Sequence, residues 1–103
     1  MMNVFLSEQA ESKLLELNDY LLEKWNIKVR DNFISELSKK INQISIHPES
    51  CVQSKEFTGI YKCVVTKQTS FYYRILWDKN EIEIITLFDT RQKPKKLKKQ
   101  LKK

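Results

Sequence analysis

The side chains best able to do chemistry lie in the second half of the chain. Lys62, Lys67, Arg74 and Arg91 are cations set in or just after a stretch rich in β-branched and aromatic residues, and lysines including Lys95, Lys96, Lys98 and Lys99 follow. Fixed cations of this kind hold phosphates or carboxylates and stabilise charge building on a crowded phosphate. Tyr73 and Asp89 stand among them and offer a phenol and a carboxylate for proton transfer. Metal chemistry is not expected: two cysteines without CxxC spacing, Cys51 and Cys63, and one histidine, His47, are too few ligands. With a single glycine there is no Gly-rich phosphate loop, and no cofactor is expected.

The distribution of charge says more than its total. The chain has 103 residues, 19 basic and 13 acidic, for a net charge of +6. Eight of the basic residues fall in the tail 91–103 with no acid between them, which leaves eleven against thirteen in the remainder. A slightly acidic body therefore carries a strongly basic tail. Such a run suits a polyanion or an acidic protein partner, with solubility alone as the plainer reading. No apolar run approaches the roughly 20 residues that cross a bilayer. The N-terminus lacks the length and basic flank of a signal peptide, so a cytoplasmic protein without membrane contact and with free thiols is expected.

These residues must be positioned by elements that the spacing of apolar residues predicts. Residues 4–6 read as a short strand, and Ser7 caps a helix in which Ala10, Leu14, Leu17, Leu21 and Trp25 recur at helical spacing, with Leu15 and Leu22 widening the stripe. Asn26 breaks the pattern. A second helix follows, with Val29, Phe33, Leu37, Ile41 and Ile44 on its apolar face and Ile34 beside them, and His47-Pro48 ends it. Both stripes are expected in the core. Residues 49–58 read as a polar loop, and strands are expected over 60–66, 70–77 and 81–88 with short hairpin connections. The fold class is α+β: one domain over 1–103, in which a short N-terminal strand and a two-helix hairpin pack on an antiparallel meander. The tail beyond Pro94 can form a short basic helix with Leu97 and Leu101 on one side.

The order of these pieces resembles the RelE/ParE toxin superfamily, and ParE more than RelE. The resemblance rests on the opening Val4-Phe5-Leu6-Ser7-Glu8-Gln9-Ala10, the helical hairpin, Tyr72-Tyr73-Arg74-Ile75, the apolar strand Glu81-Ile82-Glu83-Ile84-Ile85-Thr86-Leu87-Phe88, and Asp89-Thr90-Arg91-Gln92-Lys93-Pro94. It implies a toxin of a type II toxin–antitoxin system, neutralised by a cognate antitoxin that wraps the hairpin and a sheet edge. ParE-like members poison DNA gyrase. RelE-like members cut messenger RNA on the ribosome.

The residues bear unequally on the two chemistries. Metal-free RNA cleavage needs a base for the ribose 2′-hydroxyl, cations at the phosphate, and an acid for the leaving oxygen. Arg74 and Arg91 supply cations. No Tyr or His follows Tyr73, His47 lies at the far end of the hairpin, and Asp89, read as a solvent-exposed carboxylate, is a poor acid at neutral pH. If the protein is a nuclease, its residues are Arg74, Arg91, Tyr73 and Asp89. Gyrase inhibition needs only a binding surface, for which Arg74, Arg91, Lys62, Lys67, Lys95, Lys96, Lys98 and Lys99 are the candidates, with Trp77 or Phe88 as apolar anchors. For Arg74 the competing reading is an ion pair with Glu83 across the hairpin; for Arg91 it is an ordinary surface charge; for Trp25 and Trp77 it is packing. A non-catalytic nucleic-acid-binding protein, or an inactive toxin-like one, remains as a further alternative.

Overall fold

The computed structural model describes residues 1–91. β1 (Asn3–Leu6) leads into α1 (Glu8–Lys24) and α2 (Ile27–Ile46); β2 (Val52–Gln53), β3 (Tyr61–Val64), β4 (Thr69–Leu76) and β5 (Glu81–Asp89) complete the order. The helix boundaries have visible causes. The Ser7 hydroxyl accepts from the Ala10 backbone N–H and donates to the Ile85 carbonyl, so one side chain caps α1 and ties it to β5. Asn26 caps α2 by accepting from the Val29 N–H. α2 stops at His47, before Pro48. Among the described residues no helix is long and apolar enough to cross a membrane.

The strands form one sheet in the order β1-β5-β4-β3-β2. β2, β3, β4 and β5 pair antiparallel, while β1 pairs parallel to β5, Val4 opposite Ile82. The meander and its α+β character are as expected. β2 is an addition: the loop expected over 49–58 contains a two-residue strand at the sheet edge. Gly59, at φ 78°, turns the chain back into β3, a backbone setting open to glycine without steric cost. The β4–β5 register shifts between Tyr72 and Tyr73: Tyr72 pairs with Thr86 but Tyr73 with Ile84, leaving Ile85 as an extra residue in β5.

The core lies between the helices and one sheet face. Ala10, Leu17 and Leu21 of α1 and Phe33, Leu37 and Ile44 of α2 are buried with Phe71, Tyr73, Ile82, Ile84 and Leu87. Not all of the apolar stripe enters it. Leu15, Leu22 and Trp25, and Ile34 on α2, are exposed, which corrects the expectation that the stripes are wholly core; Ile27, at the start of α2, is exposed as well. Leu15 and Leu22 stand seven residues apart on one face of α1, as Ile27 and Ile34 do on α2, each beyond the arc that reaches the sheet.

Candidate binding surface

Strand alternation divides the candidate residues between the two faces of the sheet. Tyr73 points to the helices; Arg74, its neighbour, points away. Arg74 pairs with Glu83 across the β4–β5 ladder, its Nε donating to Glu83 Oε1 at 2.6 Å. The arginine side chain is 54% exposed and the glutamate 19%. This pair belongs to a cleft of about 740 Å³ whose walls include Ser7 and Gln9 at the start of α1, Thr58 and Gly59 of the loop before β3, and Ile85. Lys62, opposite Tyr72 in the β3–β4 register, is exposed on the same face as Arg74. Lys67 is exposed in the β3–β4 turn. The arrangement offers a guanidinium held from one side by a carboxylate, with the rest of its fork open to solvent and an ammonium group on the neighbouring strand.

Tyr73 is not part of that cleft. Its ring is fully buried, 5.2 Å from the Tyr61 ring in a stacked arrangement, and its hydroxyl donates to the Pro48 carbonyl at 2.7 Å. Burial, and then the neighbouring Cys51, push the phenol above its ordinary range. It is a core residue that fastens the end of α2 to the sheet.

Asp89 and Arg91 form a second centre. Asp89 is 1% exposed, which corrects its reading as a solvent-facing carboxylate. Thr69 Oγ1 donates to its Oδ2 at 2.8 Å, the Arg91 backbone N–H and Nε donate to Oδ1 at 2.9 and 2.6 Å, and Arg91 Nη2 donates to Oδ2 at 2.5 Å. Burial pushes the carboxyl up, but hydrogen bonds from Arg91 and Thr69 and the arginine's charge outweigh it and hold the group below the usual carboxylate range. The same hydrogen bonds hold Arg91 charged above its ordinary value. The guanidinium also lies 5.5 Å from the ring centroids of both Tyr20 and Trp25, at the end of α1. Arg91 thus joins the end of β5, the start of β4 and the end of α1; it is no ordinary surface charge.

The structure therefore does not bring the four nuclease candidates together. Tyr73 is in the core, Arg74 is on the opposite face, and Asp89 with Arg91 lies about five residues, or roughly 16 Å, further along the ladder. His47 is exposed at the end of α2. Trp77 is 61% exposed on the short turn between β4 and β5 and Trp25 is exposed beside Arg91, so neither is buried packing. Phe88 is half-buried. Lys95, Lys96, Lys98 and Lys99 lie outside the described residues. The residues missed from sequence were Thr69, Tyr20 and Trp25 as partners of Asp89 and Arg91. Their only signal was a Thr at a strand start and two aromatics five residues apart, too common to single out.

Residues 4–94 match the model of a family described as the ParE toxin of the type II toxin–antitoxin system, parDE. No curated protein matches significantly in sequence. Among solved structures the chain is similar to a component of the chromosomal ParDE system of P. aeruginosa, with a TM-score of 0.68 and 14% identity over 86% of this chain and 96% of that one. It is similar to a chain of the E. coli RelBE toxin–antitoxin complex, at 0.62 and 15% over 86% and 96%. It also resembles the isolated E. coli RelE toxin, at 0.63 and 14% over 96% and 95%. At these identities the likeness concerns the fold.

Proposed function

Because the chain belongs to the family of ParE toxins of type II toxin–antitoxin systems, we propose that it inhibits growth by binding its target without hydrolysing it, and that the target is DNA gyrase. The observation that carries this reading is the separation of the groups that RNA cleavage would need. The Tyr73 phenol is engaged by Pro48 inside the core, and the Asp89 carboxylate is buried and paired with Arg91. A base or acid must come within hydrogen-bond reach of the reacting proton, and neither group can reach a substrate at Arg74. A binding surface needs only cations: Arg74 and Lys62, exposed on the open sheet face, and Lys67 in the adjoining turn, to which the sequence adds Lys95, Lys96, Lys98 and Lys99 of the tail. Arg91 serves this surface by fixing the end of β5 through Asp89.

The cognate antitoxin is the second partner. Leu15, Leu22, Ile27 and Ile34 are apolar and exposed on the hairpin, and an amphipathic segment covering them removes that area from water.

The test measures supercoiling by purified gyrase and cleavage of messenger RNA on programmed ribosomes, side by side. The expected result is loss of supercoiling without RNA cleavage, weakened about tenfold or more by Arg74→Ala. Ribosome-dependent cleavage overturns the reading and makes the protein a metal-independent endoribonuclease. Removal of residues 95–103 is expected to weaken gyrase binding more at low salt than at high salt.

A further inference from the structure

The two cysteines, twelve residues apart in sequence, meet in space. β2 and β3 pair with Val52 opposite Lys62 and Gln53 opposite Tyr61. One residue further along the same register, Cys51 stands opposite Cys63. The Ser54 N–H donates to the Ile60 carbonyl at 2.7 Å, so alternation along the ladder makes 52/62 a hydrogen-bonded pair and 51/63 a non-hydrogen-bonded one. In such pairs the Cα atoms approach to about 4.5 Å, within the range that a disulfide spans. The side chains are close: Cys51 acts on both the Cys63 thiol and the Tyr73 phenol, raising each. Both cysteines are free thiols; Cys63 is buried and Cys51 is half-buried at the sheet edge. Burial pushes the Cys63 thiol up to about 12, with Cys51 adding to the rise and Lys40 opposing it.

We propose that Cys51 and Cys63 are a redox-responsive pair that a low-molecular-weight disulfide converts to one intramolecular bond, fastening edge strand β2 to β3 and closing the loop that rims the Arg74 cleft. The half-buried Cys51 is the point of entry. Its thiolate attacks one sulfur of oxidised glutathione and expels a glutathione thiolate; the Cys63 sulfur then attacks the Cys51 sulfur and expels the second. The two cysteines are oxidised, the glutathione disulfide is reduced to two glutathione thiols, and these carry away the two cysteine protons. The closed segment contains Thr58, Gly59 and Ile60, which line the cleft beside Arg74. Oxidation therefore limits the freedom of that wall, whichever macromolecule the cleft meets. In a reducing compartment the pair stays open.

The full chain is incubated with excess oxidised glutathione, alkylated without reduction, weighed and digested. The expected product has lost two hydrogen atoms, takes up no alkyl group, yields one peptide pair joining Cys51 to Cys63, and reverts with dithiothreitol. Its amides in residues 54–60 exchange more slowly, by roughly tenfold, and its melting temperature rises by on the order of 10 °C. Cys51→Ser forms no such bond. A stable glutathione adduct on Cys51, a bond between two chains, or two thiols that remain unmodified overturns the proposal. Unchanged exchange in 54–60 despite the bond overturns its effect on the cleft wall.

Discussion

Arg74–Glu83 and Arg91–Asp89 are the same chemical pair in two environments. Each joins a guanidinium to a carboxylate at hydrogen-bond distance within or beside the β4–β5 hairpin. Arg74 stands mostly in solvent and meets its glutamate through one N–H. Arg91 is 21% exposed, meets a fully enclosed aspartate through both a side-chain fork and its backbone, and rests against two aromatic rings. Water screens the first pair, so its attraction is small and the arginine can exchange glutamate for another anion. The second pair has given up its hydration and must stay together, because either partner left alone is a buried charge. An arginine's availability is thus set by what surrounds its carboxylate.

The largest test of this contrast is Arg91→Ala, which leaves the Asp89 carboxylate enclosed with Thr69. A loss of about 3 kcal/mol or more in urea unfolding is expected, while Arg91→Lys recovers only part because an ammonium lacks the planar fork. Asp89→Asn tests the pair by pH. The folded Asp89 carboxyl titrates below its unfolded value of about 3.9, so its contribution is fully present above that value and lost as pH falls through the folded one. Wild type should therefore lose more stability than Asp89→Asn between about pH 5 and pH 2; parallel curves would deny the pair its role. Thr69→Val removes one hydrogen bond to the buried carboxylate, for about 1–2 kcal/mol. Trp25→Ala removes one ring from Arg91, for about 1 kcal/mol. Arg74→Ala comes last in stability, under about 1 kcal/mol, although it is expected to lower target binding most. A comparable stability loss from Arg74→Ala and Arg91→Ala would erase the distinction between the two sites.

Much of the fold was legible because its signals are local. Ser7, Asn26 and Pro48 mark the helix ends through side-chain capping and the geometry before proline, and both helices lie where these residues put them. The alternation of aromatic and β-branched residues marks three strands of the meander. β2 escaped notice because two exposed residues carry no periodicity. The exposure of Leu15, Leu22 and Ile34 was hidden for a different reason. Helical spacing shows which residues share a face, but the width of the arc that the sheet covers depends on how the helices are seated. The ion pair of Arg74 and Glu83 followed from the register of a short hairpin. The enclosure of Asp89 did not, since it depends on the register shift at Ile85 that sets Thr69 opposite it and on the end of α1 lying over Arg91.

The extra residue in β5 decides which side of the sheet Asp89 meets. Before Ile85 the even-numbered positions Ile82 and Ile84 turn toward the helices; after it the odd-numbered Leu87 and Asp89 do so. Were Ile85 instead to take a regular place in the ladder opposite Tyr72, the strand would keep a strict two-residue rhythm from Ile82 to its end. Thr86 and Phe88 would then face the helices, and Leu87 and Asp89 would both face the open side of the sheet. The strand is in this sense a counting device: one residue left out of the ladder, with no chemistry of its own, turns the Asp89 carboxylate inward to become an internal anchor while Glu83, before it, stays on the open face.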